Sequence, residues 1–119
     1  MGRNNITGAW GEERAAEFLR KKHYKLVAAG YYCKFGEIDL IVKDRKYLVF
    51  VEVKYRSSER TGSPLEAVDV RKQRVISKVA SYYCLTHGHS EGKPCRFDVV
   101  AVNGEEYTLI KNAFEYAGW

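Results

Sequence analysis

Two short runs of the sequence place charged side chains inside what is otherwise the pattern of a hydrophobic β-hairpin. Residues 36–42 read GEIDLIV and residues 47–54 read YLVFVEVK. Both runs are rich in branched and aromatic residues, which is typical of strands, and the polar run 43–46 between them is typical of a turn. The chain is therefore constrained to form a sheet in which two carboxylates and a lysine lie beside apolar neighbours.

The register of this hairpin follows from the length of its loop. A loop with an even number of residues, centred between positions 45 and 46, fixes which residues face one another. The facing pairs are then Asp44–Tyr47, Ile41–Phe50, Asp39–Glu52 and Glu37–Lys54. A loop with an odd number of residues would instead place Asp39 and Glu52 on opposite faces of the hairpin.

Because side chains alternate along a strand, this register sorts the hairpin into two faces. The first face is entirely apolar and comprises Ile38, Leu40, Val42, Val49, Val51 and Val53. The second face carries Ile41 and Phe50 near the turn, followed by Asp39, Glu52 and Lys54 toward the open end. Opposed carboxylates repel each other, and burying them unpaired is costly. Lys54 would supply one compensating charge, and a bound divalent metal would supply two more.

The remaining pattern predicts a helix, three strands, a second helix and two strands. Expected bounds are about 10–23 for the first helix, 26–33 for the first strand, 63–86 for the second helix and 96–102 for the fourth strand. Glu12 shares the inward side of the first helix with Ala15 and Leu19. The strand–helix–strand crossover makes the third and fourth strands parallel. The expected fold is α/β, a mixed sheet flanked by helices.

Composition narrows the class of protein. A chain of 119 residues is expected to form one domain, residues 1–119. Without a membrane-spanning run or a recognisable signal peptide, a cytoplasmic location is expected. The net charge of +5 permits a polyanionic partner. Three widely spaced cysteines, Cys33, Cys84 and Cys95, fit neither a zinc motif nor a disulfide framework, and His87 and His89 read as loop residues.

Several short motifs follow one another along most of the chain. They are Gly11-Glu12, Gly36-Glu37-Ile38-Asp39-Leu40-Ile41, Phe50-Val51-Glu52-Val53-Lys54 with Arg56, Gly62 with Pro64, Lys72-Gln73, and Arg96-Phe97-Asp98-Val99-Val100. In these motifs the chain resembles the PD-(D/E)xK nuclease superfamily. More narrowly, it resembles the YraN family of bacterial endonuclease-like proteins, relatives of archaeal Holliday-junction resolvases. The resemblance implies a restriction-endonuclease-like αβββαβ core, with Ile38 standing where the superfamily has its proline.

The residues alone leave two interpretations of Asp39, Glu52 and Lys54: a cross-strand ion-pair cluster, or a catalytic site. The resemblance favours the catalytic site, in which Asp39 and Glu52 hold Mg²⁺, with Mn²⁺ as a substitute. Lys54 would orient the attacking water or stabilise developing negative charge. Glu12 would complete the outer shell of the metal, and Gln73 would reach the scissile strand. Their alternatives are a helix N-terminal glutamate favoured by the dipole and a surface amide.

Basic side chains on and near the second helix are candidates for phosphate contacts: Arg56, Arg71, Lys72, Arg74 and Lys78. The alternative is a solvated helix face. The expected function is a Mg²⁺-dependent nuclease acting on DNA, including branched DNA. Competing hypotheses are a non-catalytic nucleic-acid-binding module and an adaptor whose sheet edge pairs with another protein. A junction-cleaving enzyme needs two active sites, which makes a homodimer attractive.

Overall fold

The helices and strands follow one another in the predicted order. The computed structural model describes residues 6–55, 68–89 and 93–117, with side chains described from residue 11 onward. The elements in these ranges are α1 (Ile6–Lys21), β1 (Lys25–Cys33), β2 (Gly36–Asp44), β3 (Tyr47–Tyr55), α2 (Val70–Thr86), β4 (Cys95–Asn103) and β5 (Glu106–Ile110). Neither described helix is long and apolar enough to cross a membrane.

All five strands form one sheet in the order β1-β2-β3-β4-β5. Neighbouring strands are antiparallel except β3 and β4, which are parallel and joined through α2. The parallel pair confirms the predicted crossover. The chain thus has a mixed α/β fold, a mixed sheet with two helices, consistent with the expected αβββαβ core.

The hairpin register is confirmed near the turn and ends earlier than predicted. Pairing runs from Asp44 opposite Tyr47 to Leu40 opposite Val51, so the loop is even. The predicted pairs Asp39–Glu52 and Glu37–Lys54 are wrong as ladder pairs, because the β2–β3 ladder stops before them. Beyond its last pair, the amide of Val53 donates a 2.8 Å hydrogen bond to Oδ2 of Asp39. A side chain therefore takes the place of a main-chain partner.

The sheet separates two apolar clusters, one under each helix. Leu40 and Val42 of β2 pack in the cluster that includes Ala15 and Leu19 of α1. Ile38 belongs instead to the cluster under α2, with Ile41 as its neighbour from β2. The prediction that Ile38 shares a face with Leu40 is wrong, since the side-chain alternation of β2 breaks between them. The break lies where β2 loses β3 and is paired only with β1.

Helix α2 begins later than predicted. Residues 63–67 lie outside the described part of the chain, but Asp69 is the N-cap and its extended backbone cannot continue a helix from Ser63. The Asp69 side chain accepts a 2.9 Å hydrogen bond from the amide of Lys72, which is the usual contact of an N-cap aspartate. The preceding Val68 is buried in the cluster under α2. A start at Ser63 is therefore wrong.

A buried guanidinium connects three segments near the turn of the hairpin. Arg96 of β4 makes two 2.9 Å hydrogen bonds to the carboxylate of Asp98, one of 2.9 Å to Asp44 and one of 2.8 Å to the hydroxyl of Tyr24. Asp98 is fully buried and also accepts from the amide of Asn112. The sequence pattern shows β4 as apolar on both faces, and it does not reveal this charged pair.

Replacing this guanidinium should be strongly destabilising. Arg96→Met keeps an unbranched apolar chain but leaves Asp98 buried without its counter-charge. The free energy of unfolding is expected to fall by about 3–5 kcal/mol, measured by urea denaturation with circular dichroism. Arg20→Met is the matched control because it breaks the exposed ion pair with Glu17, and it should cost less than about 1 kcal/mol. Similar losses in the two variants would contradict the structural importance of the buried pair.

Candidate active site

Asp39 lies at the point where β2 separates from β3. Its side chain is half-buried, and its Oδ2 is held 2.8 Å from the amide nitrogen of Val53. A carboxylate oriented by a backbone amide has a defined direction. Its position at the end of the ladder makes Asp39 the residue around which the other acidic groups gather.

Three carboxylates form a cluster that we call the acidic cluster: Glu12, Glu37 and Asp39. One oxygen from each lies within 4.8 Å of the others. Oxygen ligands of Mg²⁺ and Ca²⁺ lie about 2.0–2.6 Å from the ion, so two ligands across an ion are separated by about 4–5 Å. The acidic cluster therefore has dimensions that suit a hard divalent cation. The inward side predicted for Glu12 brings it to Asp39, and Glu37 of β2 joins them.

Two glycines allow backbone and side chains to approach closely beside this cluster. A Cβ atom at Gly11 would overlap the Tyr55 hydroxyl, so the glycine lets the end of β3 lie against α1 next to Glu12. Gly30 of β1 has φ +66, a conformation that favours glycine, and its Cβ position lies 3.9 Å from Oε1 of Glu12. Gly11 is thus required by a close approach, whereas Gly30 is required by its backbone conformation.

Glu52 of β3 is a buried carboxylate next to Asp39. Only 7% of the residue is exposed. Burial, and after it the charge of Asp39, raise its pKa to about 7 against the opposing effect of Lys72 and Lys54. Lys72 forms an ion pair with it, with Nζ 3.7 Å from Oε2 of Glu52. Positive charge near Glu52 is thus insufficient to keep it fully ionised at neutral pH.

The sequence also predicts catalytic roles for Lys54 and Gln73, and the structure shows the surroundings of each. Lys54 is half-buried, and its positive charge favours the ionised form of Glu52. Gln73 does not point freely toward a substrate, because its Nε2 donates a 3.0 Å hydrogen bond to the carbonyl of Val68. That amide holds the first turn of α2 against the preceding segment. A role for Gln73 on a substrate would therefore fall to its second amide hydrogen or to its Oε1.

The predicted phosphate-binding residues are separated into two groups. Arg71, Arg74 and Lys78 are exposed along α2, and Lys72 is the member of the set that reaches the site through Glu52. Arg56 lies outside the described residues. The exposed cations thus share one helix with the lysine that contacts the buried carboxylate.

The raised pKa of Glu52 predicts how stability changes with pH. Between its ordinary value of 4.5 and about 7, the folded chain keeps a proton that the unfolded chain releases. This stability is present in full below the lower value and is lost as the pH rises through the upper value. In metal-free buffer, Glu52→Gln should raise the free energy of unfolding above pH ~7 by on the order of 1–3 kcal/mol.

The measurement is a series of urea denaturation curves across this pH window in the presence of a chelator. Glu106→Gln removes an exposed glutamate of β5 and serves as the control, with no change of slope expected. Parallel stability–pH curves for Glu52→Gln and the unmodified chain would contradict the assignment of the slope to Glu52.

Comparison with known proteins places the chain in a family. Residues 11–102 match the family described as "Uncharacterised protein family UPF0102". A UPF0102 protein of Lachnoclostridium phytofermentans is 46% identical over 113 residues, which are 95% of this chain and 96% of the relative. A UPF0102 protein of Symbiobacterium thermophilum is 48% identical over 112 residues, covering 90% and 94% respectively. Another, of Syntrophus aciditrophicus, is 44% identical over 121 residues, covering 98% and 94%.

The matched region contains the acidic cluster, Glu52, Lys54 and the whole of α2. The motifs that resemble the YraN family therefore lie inside the region that defines the relatives. The chain belongs to the UPF0102 family, and the resemblance inferred from its motifs is confirmed.

Proposed function

We propose that this protein is a metal-dependent nuclease that hydrolyses phosphodiester bonds in DNA, including branched or otherwise structured DNA. The observation that carries the proposal is the gathering of four carboxylates: the three of the acidic cluster, and the buried Glu52, which interacts with Asp39. A fold gains nothing from gathering like charges unless something compensates them. A divalent cation is the compensating group that also has a chemical use.

The donor set favours a hard cation. Asp39 and Glu52 offer oxygen atoms alone, which suits Mg²⁺, or Mn²⁺ in its place. When bound, such a cation polarises the phosphodiester and lowers the pKa of a bound water. Glu12 and Glu37 are close enough to Asp39 to accept hydrogen bonds from water molecules around the ion. The amide of Val53 keeps Asp39 oriented throughout.

Lysine side chains supply positive charge on the substrate side of this site. Lys72 contacts Glu52 at 3.7 Å and is 46% exposed, so a substrate phosphate can share it with the carboxylate. Lys54 is half-buried and would stabilise charge on the phosphoryl oxygens or orient the attacking water. A nucleic-acid backbone lying along the exposed Arg71, Arg74 and Lys78 would be led to Lys72. These residues connect binding of the polymer to the carboxylates.

A second candidate function is a nucleic-acid-binding module without catalysis. The observation that favours it is that Glu52 already pairs with Lys72 and that the amide of Gln73 is bonded to Val68. In that case the carboxylates would be a structural charge cluster. DNA would bind through the exposed face of α2 and would not be cut.

Metal binding separates these two functions. Isothermal titration with Mn²⁺ should show a site whose affinity falls at least about tenfold in Asp39→Asn. Binding should tighten as the pH rises through about 7, because the proton on Glu52 must leave before the carboxylate can bind a cation. Glu13→Gln, an exposed neighbour of Glu12 on α1, is the matched control. Unchanged affinity in Asp39→Asn would exclude the proposed metal site.

Cleavage of DNA is the direct test of activity. Linear, nicked and four-way-junction DNA are incubated with Mg²⁺ or Mn²⁺, and the products are resolved on denaturing gels. Asp39→Asn and Glu52→Gln should lower the cleavage rate by at least about 100-fold, since each removes a charge from the metal site. Glu106→Gln should leave the rate unchanged. Equal cleavage by the unmodified chain and by the Asp39 and Glu52 variants would sink the nuclease proposal.

The same protein variants also test whether the chain is a nucleic-acid-binding module without catalysis. Salt-dependent DNA binding that weakens in Arg74→Gln, with no cleavage by the unmodified chain in either metal, would favour the module over the nuclease. A dimer should accompany a preference for four-way junctions, because resolving a junction takes two cuts. Analytical ultracentrifugation on the junction complex measures this.

A further inference from the structure

A second group of metal-ligating side chains lies where α2 ends and β4 begins. Cys84 is in the last turns of α2, His89 follows that helix, and Cys95 is the first residue of β4. The two Sγ atoms are 3.9 Å apart, and one ring nitrogen of His89 lies within 4.8 Å of both. These three residues, which we call the Cys/His cluster, match no recognised metal-binding motif in the sequence, but they are adjacent in the fold.

The separation of the two sulfur atoms is informative. Zn–S bonds are about 2.3 Å long, so two thiolates on a tetrahedral zinc lie about 3.8 Å apart. A disulfide would require about 2.05 Å. The observed 3.9 Å is too long for a covalent bond; it suits a thiol–thiol hydrogen bond, and it equally matches the spacing of two sulfurs on one cation.

An unsatisfied nitrogen is a second, independent indication of a ligand. Nε2 of His89 is buried and has no hydrogen-bond partner within the described part of the chain. Buried polar atoms of this kind almost always have a partner. The neighbouring His87 is different, because its Nδ1 lies 3.0 Å from both the Thr86 hydroxyl and the Tyr83 carbonyl. His89 thus places its ring beside two thiols, and its buried Nε2 has no partner among the described residues.

We propose that Cys84, His89 and Cys95 form a binding site for a soft divalent cation of the zinc class. Two sulfurs and one imidazole nitrogen are the donors that such a cation prefers, and hard ions such as Mg²⁺ avoid them. Water or one further group would occupy the fourth position of the tetrahedron. Cys95 is exposed, so the cation reaches the site from solvent.

This site is distinct from the acidic site in both position and chemistry. Cys95 pairs with Leu48, which precedes Glu52 by four residues on β3, a distance of about 13 Å along the strand. A cation in the Cys/His cluster would fasten the end of α2 to the start of β4.

Cobalt substitution tests the proposal in the full chain. The reduced, metal-free protein is titrated with Co²⁺, and a sulfur-to-cobalt charge-transfer band with intense tetrahedral d–d bands is expected. Zn²⁺ should remove these bands by displacement. The double variant Cys84→Ser/Cys95→Ser should lose the charge-transfer band, and His89→Gln should weaken binding at least about tenfold. Cys33→Ser is the matched control and should keep the bands.

Thiol protection gives a readout on the unmodified chain, where folding of variants is not at issue. With Zn²⁺ present, alkylation followed by mass spectrometry should show Cys84 and Cys95 protected and Cys33 modified at its metal-free rate. Carboxylates give no sulfur charge-transfer band, so Co²⁺ in the acidic site cannot imitate the result. Absence of the band in the reduced protein, or equal alkylation of all three thiols with and without Zn²⁺, would overturn the proposal. A Cys84–Cys95 disulfide with no metal binding after reduction would overturn it as well.

Discussion

The arrangement of the sheet depends on the hydrogen bonds and ion pairs that the guanidinium of Arg96 makes. It binds Asp98 on its own strand, Asp44 at the end of β2 and Tyr24 before β1. This single group therefore holds the turn end of the β2–β3 hairpin beside the start of β4. Since β3 and β4 are then parallel neighbours in the middle of the sheet, Glu52 is carried into a buried central strand. The burial that raises the pKa of Glu52 is a consequence of the same architecture.

The open end of the hairpin is held by different contacts from those at its turn end. Pairing between β2 and β3 stops at Leu40 and Val51, and the amide of Val53 is satisfied by Asp39 instead of by a strand. Release from the ladder lets β2 change its alternation, so Ile38 packs under α2. Asp39 can then meet groups from α1 and β3 at the same point. An uninterrupted ladder would instead have placed Asp39 directly opposite Glu52 and Glu37 opposite Lys54.

Much of this could be predicted from short-range patterns, and the failures have identifiable causes. The even loop and the order of elements follow from periodicity and turn residues, which are local. The start of α2 does not, because Ser63 with its following proline and Asp69 are both residue types favoured at an N-cap, and the structure has Asp69 in that position. The direct pairing of Asp39 with Glu52 fails because a side chain can replace a ladder bond. The Cys/His cluster has no recognisable spacing, since only the packing of α2 on β4 brings its members together.

The acidic residues at the two ends of the hairpin differ in how well their charges are compensated. At the turn end, Asp98 and Asp44 are matched by the guanidinium of Arg96, and Lys111 lies 3.8 Å from Asp44. At the open end, the pKa of Glu52 rises to about 7 despite its lysine neighbours. A structural network minimises its own electrostatic cost, and the group at the turn end does so. At the open end, the electrostatic cost of burying an ionised Glu52 remains. A divalent cation would remove that cost by stabilising the ionised form of Glu52. That difference is the physical reason for proposing chemistry at the open end, while the turn end contributes stability.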